Sequence, residues 1–288
     1  MKACRPNVIH MSVTAYGAEG PLRDQPGYDP LMQAFSGIMS VTGHPGAEPT
    51  RVGGSVVDFG TGMWAAIAIL GALRTRDRTG EGARLETSLL DTSLAWVSYH
   101  VMGYLASGEV PGPMGSALGS IAPYGAFRTS DGNVMIAVGN DAIFQRFCGA
   151  LGLDELPGDE RFASNPDRVA NRDVLERLVE ERTVRLSTGA LLQSMRRCSV
   201  PASPIQSIDQ VVEHDQVAEA DMLHPLPHHR GEGYRDVSLP LKLQGVRPRA
   251  AEPPPRIGEH TVDVLRELGY EGGDVLDLLE RGIAVAAG

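Results

Sequence analysis

The chain has 288 residues, 42% of them hydrophobic, and a net charge of −10. That is enough apolar material for a sizeable core in one or two domains, and the acidic balance argues against a nucleic-acid binder, which carries a basic patch. The opening Met1-Lys-Ala-Cys-Arg-Pro6 is not an apolar signal region. No membrane span is expected either, because the longest apolar helix carries glycine and then arginines.

In chain order, Val8–Val13 reads as a strand, and a Gly/Pro loop follows it. The run Arg51-Val-Gly-Gly-Ser-Val-Val-Asp58-Phe-Gly-Thr-Gly62 then ends a short β-branched stretch and opens an apolar helix. Met63, Trp64, Ile67, Leu70 and Leu73 recur at helical spacing, which predicts a buried face. Asp58 therefore stands at a strand-to-helix junction between two glycine pairs, Gly53-Gly54 and Gly60-x-Gly62. Glycine admits close approach of a ligand, and N–H groups at a helix start favour negative charge. On the local pattern alone, the first reading of such an aspartate is an N-cap; the second is an anionic nucleophile.

A further apolar stretch covers Leu89–Leu105, and residues 106–121 are rich in Gly, Pro and Ser, as a linker or active-site loop is. Phe127–Val138 reads as two strands joined at an Asp-Gly turn. Helical patterns follow at Asp141–Leu151, Arg172–Arg185 and Gly189–Cys198. Beyond Pro204 come a helical Ser207–Val212, a strand-like Val237–Leu243 and a final helix at Thr261–Leu268. The division expected is 1–105, 106–121, 122–205 and 206–288. Cys4, Cys148 and Cys198 lie far apart and read as reduced packing thiols of a cytoplasmic protein. His224-Pro-Leu-Pro-His228-His229 lacks the helical spacing of a metal site and reads as a surface loop, so no metal is expected. His260 stands at a helix start and reads as a structural hydrogen-bonding group.

Several segments, in order, resemble the class III CoA-transferase family, the CaiB/BaiF group of formyl-CoA and carnitine CoA-transferases. They are Val13-Thr-Ala-Tyr-Gly-Ala-Glu-Gly-Pro21, Pro26-Gly-Tyr-Asp-Pro-Leu-Met-Gln-Ala34, the Asp58 segment, Thr79-Gly-Glu-Gly82 with Ser88-Leu-Leu-Asp91, Ala122–Gly132, Val138–Asp141, Pro201–Ile205 and Gly258-Glu-His-Thr261 with Leu265–Gly269. Each is modest, but together they cover nearly the whole chain. The resemblance implies an α/β CaiB/BaiF-type fold: an incomplete Rossmann-like large domain, completed by the C-terminal segment, plus a smaller α+β domain. It also implies an interlocked homodimer.

In that family the aspartate at the Asp58 position is the covalent nucleophile. The implied substrates are an acyl-CoA and a carboxylic acid, with coenzyme A as a substrate and no cofactor. Gly60 and Gly62 are the candidate oxyanion donors. Tyr28, Gly53, Gly54, Gly115 and Gly119 are candidate substrate contacts, the last two in a loop that glycine permits to be mobile. Arg23, Arg74 and Arg76 are weak candidates for CoA phosphate, with Arg78 and Arg84 beside them, although cations at a helix end also simply favour the dipole.

Two departures qualify the resemblance. The chain begins at Pro6-Asn-Val-Ile-His10 where relatives have completed a long βα region, so an upstream segment or a second chain is expected to supply CoA-nucleotide contacts. This polypeptide alone is then expected to bind CoA weakly. Leu118-Gly119 also stands where many relatives carry His-Pro. Two alternatives accompany the transferase reading. One is a 2-methylacyl-CoA racemase, disfavoured because Tyr28 and Arg128 stand where racemases carry His and Glu, and a phenol of pKa near 10 is a poor base at neutral pH. The other is an inactive, partner-binding subunit.

Overall fold

A computed structural model describes residues 5–226, 233–249 and 252–287. The chain forms two compact units, Met1–Ile205 and Gln206–Gly288.

The first unit opens with β1 (Ile9–Thr14), then α1 (Asp29–Phe35), α2 (Ile38–Val41) and the long α3 (Val56–Thr79). β2 (Ala83–Ser88), α4 (Leu89–Trp96) and α5 (Ser98–Ser107) follow. β1 and β2 pair in parallel from Ile9↔Ala83 to Thr14↔Ser88, and the chain crosses between them through α3, as a parallel pair requires. Gly82 permits this closure: a Cβ there would collide with the Val8 carbonyl, while its N–H donates to Pro6 O at 3.0 Å. α3 stops at Gly80, which takes the left-handed conformation (φ 76°) and donates back to Arg76 O.

Three expectations are corrected here. Residues 51–55 form a loop, not a strand, so Asp58 lies at a loop-to-helix junction. The predicted buried face of α3 is also open: Met63, Trp64, Ile67 and Leu70 are 43–65% exposed, whereas Val57, Gly60, Thr61 and Ala72 are buried. The helix is apolar all round, so periodicity selects no unique inner stripe; small residues take the packed side. By length and composition α3 is also apolar enough to cross a membrane, contrary to expectation. It nonetheless packs against β1, β2, α1 and α4. The core of this half is Met32, Ile38, Val57 and Val97.

After residues 108–123, which form no helix or ladder, come β3 (Tyr124–Arg128) and β4 (Asn133–Ala137), an antiparallel hairpin. α6 (Asp141–Leu151) starts at the Asn140 cap, whose side chain accepts from Ile143 N, and ends at left-handed Gly152. A 3₁₀ turn at Leu156–Gly158 leads to α7 (Asn165–Ala170), α8 (Arg172–Thr183), α9 (Thr188–Arg197) and β5 (Ala202–Pro204), which adds antiparallel to β4. Phe127, Ile136, Phe144, Phe147, Leu175 and Leu191 lie in their common core. Arg168 is buried among them and donates to Ala122 O (2.9 Å), Phe162 O (3.1 Å) and Asp141 Oδ1 (2.6 Å). Its guanidinium also lies 4.3 Å from the Phe144 ring centre. Burial pushes the Cys148 thiol up to about 12. Cys198 is partly buried, and Cys4 lies outside the described residues.

The second unit holds α10 (Ile208–Val212), α11 (Asp215–Glu219), the antiparallel pair β6 (Leu223–Pro225) and β7 (Arg235–Val237), α12 (Thr261–Glu267) and α13 (Gly272–Glu280). The strand expected over Val237–Leu243 stops at Val237, because Pro240 has no N–H for a ladder; Leu243 bonds reciprocally with Val246 instead. α12 is not the final helix, since α13 follows it. His224 is buried, with Nδ1 3.3 Å from Ser238 Oγ, and so is not a surface-loop residue. His228 and His229 lie outside the described residues. His260 occupies the N-cap position of α12 without a side-chain cap bond.

Candidate active site

Asp58 is the third residue of α3, and the residue that precedes the helix, Ser55, makes no side-chain cap bond. The cap comes from 28 residues earlier. Asp29, 2% exposed at the start of α1, accepts from Val57 N at 2.7 Å and Asp58 N at 3.3 Å through Oδ2. Its Oδ1 accepts from Gln33 Nε2 at 2.5 Å, and Gln33 Oε1 accepts from Val52 N at 2.9 Å. The loop from Val52 to Asp58 is thus tethered at both ends to one side-chain pair on α1. Such a helix start leaves four N–H groups to satisfy. Phe59 N donates to Ser55 O as the first bond of the helix, and of the four N–H groups before it Asp29 accepts those of Val57 and Asp58, which leaves, among the described residues, Ser55 and Val56.

The capping reading of Asp58 is therefore corrected: Asp29 holds that role. Among the described residues the Asp58 carboxylate has no hydrogen-bond or ion-pair partner, and it is exposed. Its pKa is raised, first by partial desolvation and second by the neighbouring charge of Asp29. A carboxylate that is free, held at its backbone and destabilised as an anion can act as a nucleophile.

The glycines divide by role. Gly53 and Gly54 are exposed in the tethered loop, and a Cβ at either would touch nothing within 4 Å. Gly60 is a packing residue: a Cβ there would lie 2.6 Å from Trp96 Cζ2 and 2.8 Å from Thr92 Cγ2. Gly60 and Gly62 both sit inside α3, where N–H groups are committed to carbonyls four residues back. This corrects their assignment as oxyanion donors. The close approach at Gly60 brings α3 and α4 together, with Thr61 Oγ1 donating to Thr92 Oγ1 at 2.7 Å. We expect Gly60→Ala to cost about 1–3 kcal/mol by overpacking. A thermal-melt comparison measures it, and an unchanged melting temperature would refute that packing role.

Gly115 adopts φ 64°, donates to Gly43 O at 2.7 Å, and packs so closely that a Cβ would lie 2.8 Å from His44 Nδ1. The loop beyond it is fastened rather than mobile. Arg172 Nη2 donates to Leu118 O (2.8 Å), Gly119 O (3.2 Å) and Ile121 O (3.0 Å), and Asn165 Nδ2 donates to Ser120 O (2.8 Å). Gly119 takes no positive φ.

Tyr28, exposed, precedes Asp29 directly in the chain. Arg128 pairs with Glu180 at 2.7 Å. Arg23 pairs with Asp24 at 3.3 Å, and Arg84 pairs with Glu86. Arg74 and Arg76 lie 16 and 18 residues along α3 from Asp58, roughly 24–27 Å away at the α-helical rise, so the structure does not bring them to the nucleophile. Arg76 instead joins Arg5 in a cleft of about 470 Å³ beside β1. An apolar cavity of about 500 Å³ lies against the Val56, Phe59, Gly60 and Met63 face of α3, bounded by Trp96, Tyr99 and His100. Among the described residues no His/Cys/Asp/Glu cluster could hold a metal.

The Asp29–Gln33 pair is what the sequence reading missed. Its signal was an i,i+4 polar pair, a spacing at which helical side chains meet, here on a helix whose other internal residue is Met32.

The family model for CoA-transferase family III matches residues 1–261. The chain is 35% identical over 268 residues to the succinate–glutarate CoA-transferase of Agrobacterium fabrum, covering 93% of this chain and 67% of that protein. It is 32% identical to the human succinyl-CoA:glutarate CoA-transferase, covering 96% of this chain and 64% of the other. A solved CaiB/BaiF family protein from Brucella suis superposes with a TM-score of 0.78 at 37% identity, covering 93% of this chain and 69% of that one. The chain thus spans about two thirds of the length of these relatives. With a match that covers the first unit, reaches into the second and includes the Asp58 segment, this chain belongs to CoA-transferase family III.

Proposed function

We propose that this protein transfers CoA between an acyl-CoA thioester and a carboxylic acid, with Asp58 as the covalent nucleophile. The observation that carries the reading is the Asp58 carboxylate, without a partner among the described residues, whose backbone N–H is held by Asp29 at 3.3 Å. Asp58 attacks the thioester carbonyl; the C–S bond breaks, giving an aspartyl–acyl mixed anhydride and CoA thiolate. The thiolate attacks the Asp58 side-chain carbonyl and expels the donor acid, leaving an aspartyl-CoA thioester. An acceptor carboxylate attacks that thioester and releases the thiolate. The thiolate then takes the acceptor acyl group from the new anhydride, regenerating Asp58. Each tetrahedral intermediate is negatively charged and needs donors other than the Val57 and Asp58 N–H groups, which Asp29 occupies.

The substrate acids of this reading are dicarboxylic. Relatives are named for transfer to or from glutarate, oxalate, mesaconate and citramalate, all of which carry two carboxylates. Coenzyme A is substrate, not a resident cofactor. The same reading makes the protein a cytoplasmic homodimer in which a second copy covers the apolar surface of α3 and α5, where Met63, Ile67, Leu70, Met102 and Leu105 are exposed.

The test is a panel of acyl-CoA donors against dicarboxylic and monocarboxylic acceptors, run in D₂O. New acyl-CoA is expected only when an acceptor acid is present, without α-deuterium in a recovered 2-methylacyl-CoA donor. Rapid deuterium incorporation without any acceptor would establish racemisation instead. Tyr28 argues against that outcome, because a phenol is a poor base at neutral pH.

A further inference from the structure

We propose that Asp29 is a positioning residue for the transfer reaction: by capping α3 from a distance, it keeps the Asp58 carboxylate from being consumed as a helix cap. The inference rests on the transferase reading for its kinetic consequence, and on geometry for its cause.

A Ser or Thr followed three residues later by an acidic residue is the sequence of a capping box. In it the serine side chain bonds the third residue's N–H, and the third residue's carboxylate folds back onto the serine. Among the described residues three helices start this way. At Ser164-Asn-Pro-Asp167 the box is complete, with Asp167 Oδ2 accepting from Ser164 N at 3.2 Å. At Ser88-Leu-Leu-Asp91 the serine accepts from Asp91 N at 3.0 Å, and its hydroxyl donates to Asp91 Oδ2 at 2.6 Å. Both carboxylates are tied to their own helix starts. Ser55-Val-Val-Asp58 has the same pattern, yet neither half forms: Ser55 makes no cap bond and Asp58 has no partner.

The difference is Asp29. Its Oδ2 accepts from Asp58 N, the donor that Ser55 would otherwise bond, and from Val57 N as well. Its Oδ1 is held by Gln33, which also fixes Val52. Asp29 thus takes the half of the box that Ser55 would fill, and with the loop pinned from Val52 to Asp58 the Asp58 carboxylate makes no bond back to Ser55 N. Asp29 touches no reacting atom in this scheme; it acts through the backbone of Asp58.

The experiment compares the full chain, with any partner it requires, as wild type, Asp29→Ala and Asp29→Asn. The readouts are kcat and KM for an acyl-CoA donor and the rate of hydroxamate formation at Asp58 when hydroxylamine traps the intermediate. Asp29→Ala is expected to lower kcat and the labelling rate together, on the order of 100-fold, the scale of a misplaced reacting group. KM should stay within roughly threefold, because binding is not what is lost. Asp29→Asn keeps an oxygen that accepts one N–H and should restore more than half of the loss on a logarithmic scale. A purely structural role would lower the folded fraction and leave the rate per folded molecule unchanged, and that result overturns the proposal.

Should both variants fail to fold, amide exchange in the wild type decides. Protected Val57 and Asp58 amides support the cap, and exchange at open-loop rates overturns it. If Asp58 of the wild type never takes the label, the transferase reading fails, and the exchange measurement still tests the cap on its own.

Discussion

Asp58→Ala is expected to lower CoA transfer by about 10⁴-fold or more, the scale seen when a covalent nucleophile is removed, while leaving the fold intact. The side chain is exposed and has no partner among the described residues, so its removal opens no cavity and strands no buried group there. Incubation with an acyl-CoA donor followed by hydroxylamine should place a hydroxamate on Asp58, read by mass spectrometry of the peptide, and the variant should show none. The acid side of the pH–rate profile adds a check of sign. Only the carboxylate attacks, so the rate falls as pH drops through the folded pKa of Asp58. Desolvation and the charge of Asp29 both place that pKa above the ordinary carboxylate value, so activity should begin to fade above that value. A fully active Asp58→Ala protein, labelled elsewhere, would remove the mechanism.

Arg168→Ala is expected to destabilise the first unit by about 3–5 kcal/mol, from buried carbonyls left without donors and from lost packing. The guanidinium supplies Ala122 O and Phe162 O, and its plane covers Phe144. The exposed partner Asp141 contributes little, since its carboxylate can return to water. Urea unfolding of the full chain measures the loss as a lowered midpoint. A change below about 1 kcal/mol, the size of an ordinary surface substitution, would show that the surroundings rehydrate or collapse around the gap.

Local chemistry was legible wherever it decided local structure. Asp141–Leu151 has an Asn cap before it, a Gly behind it and one apolar stripe, and the helix takes those bounds. The Asp131-Gly132 turn produced the β3–β4 hairpin, and Asp131 also accepts from Thr188 N, starting α9. What was not legible depended on segments distant in sequence. Nothing near Gly60 says that Trp96 will lie against it, and nothing near Ser55 says that Asp29 will take its donors. The short α7 was passed over even though Ser164 and Asp167 spell a capping box. α3 misled for a different reason: a helix apolar on every side does not tell which side its own chain will cover.

The fastening of residues 118–122 has a consequence for motion. Asn165, Arg168 and Arg172 lie three and four residues apart along α7 and α8, and all bond to that stretch. The second half of a segment that looks like a linker is therefore part of the hairpin body, while Gly115 is bonded to Gly43 on the other side. Gly108 N donates to Tyr104 O, Glu109 N to Ser107 Oγ, and Met114 O accepts from Ala117 N, so between helix end and anchor the span from Val110 to Pro113 is what makes no hydrogen bond among the described residues. Any swing of the three-stranded half against the βαβ half would first have to break the Gly115–Gly43 bond, and then pivot on that short span.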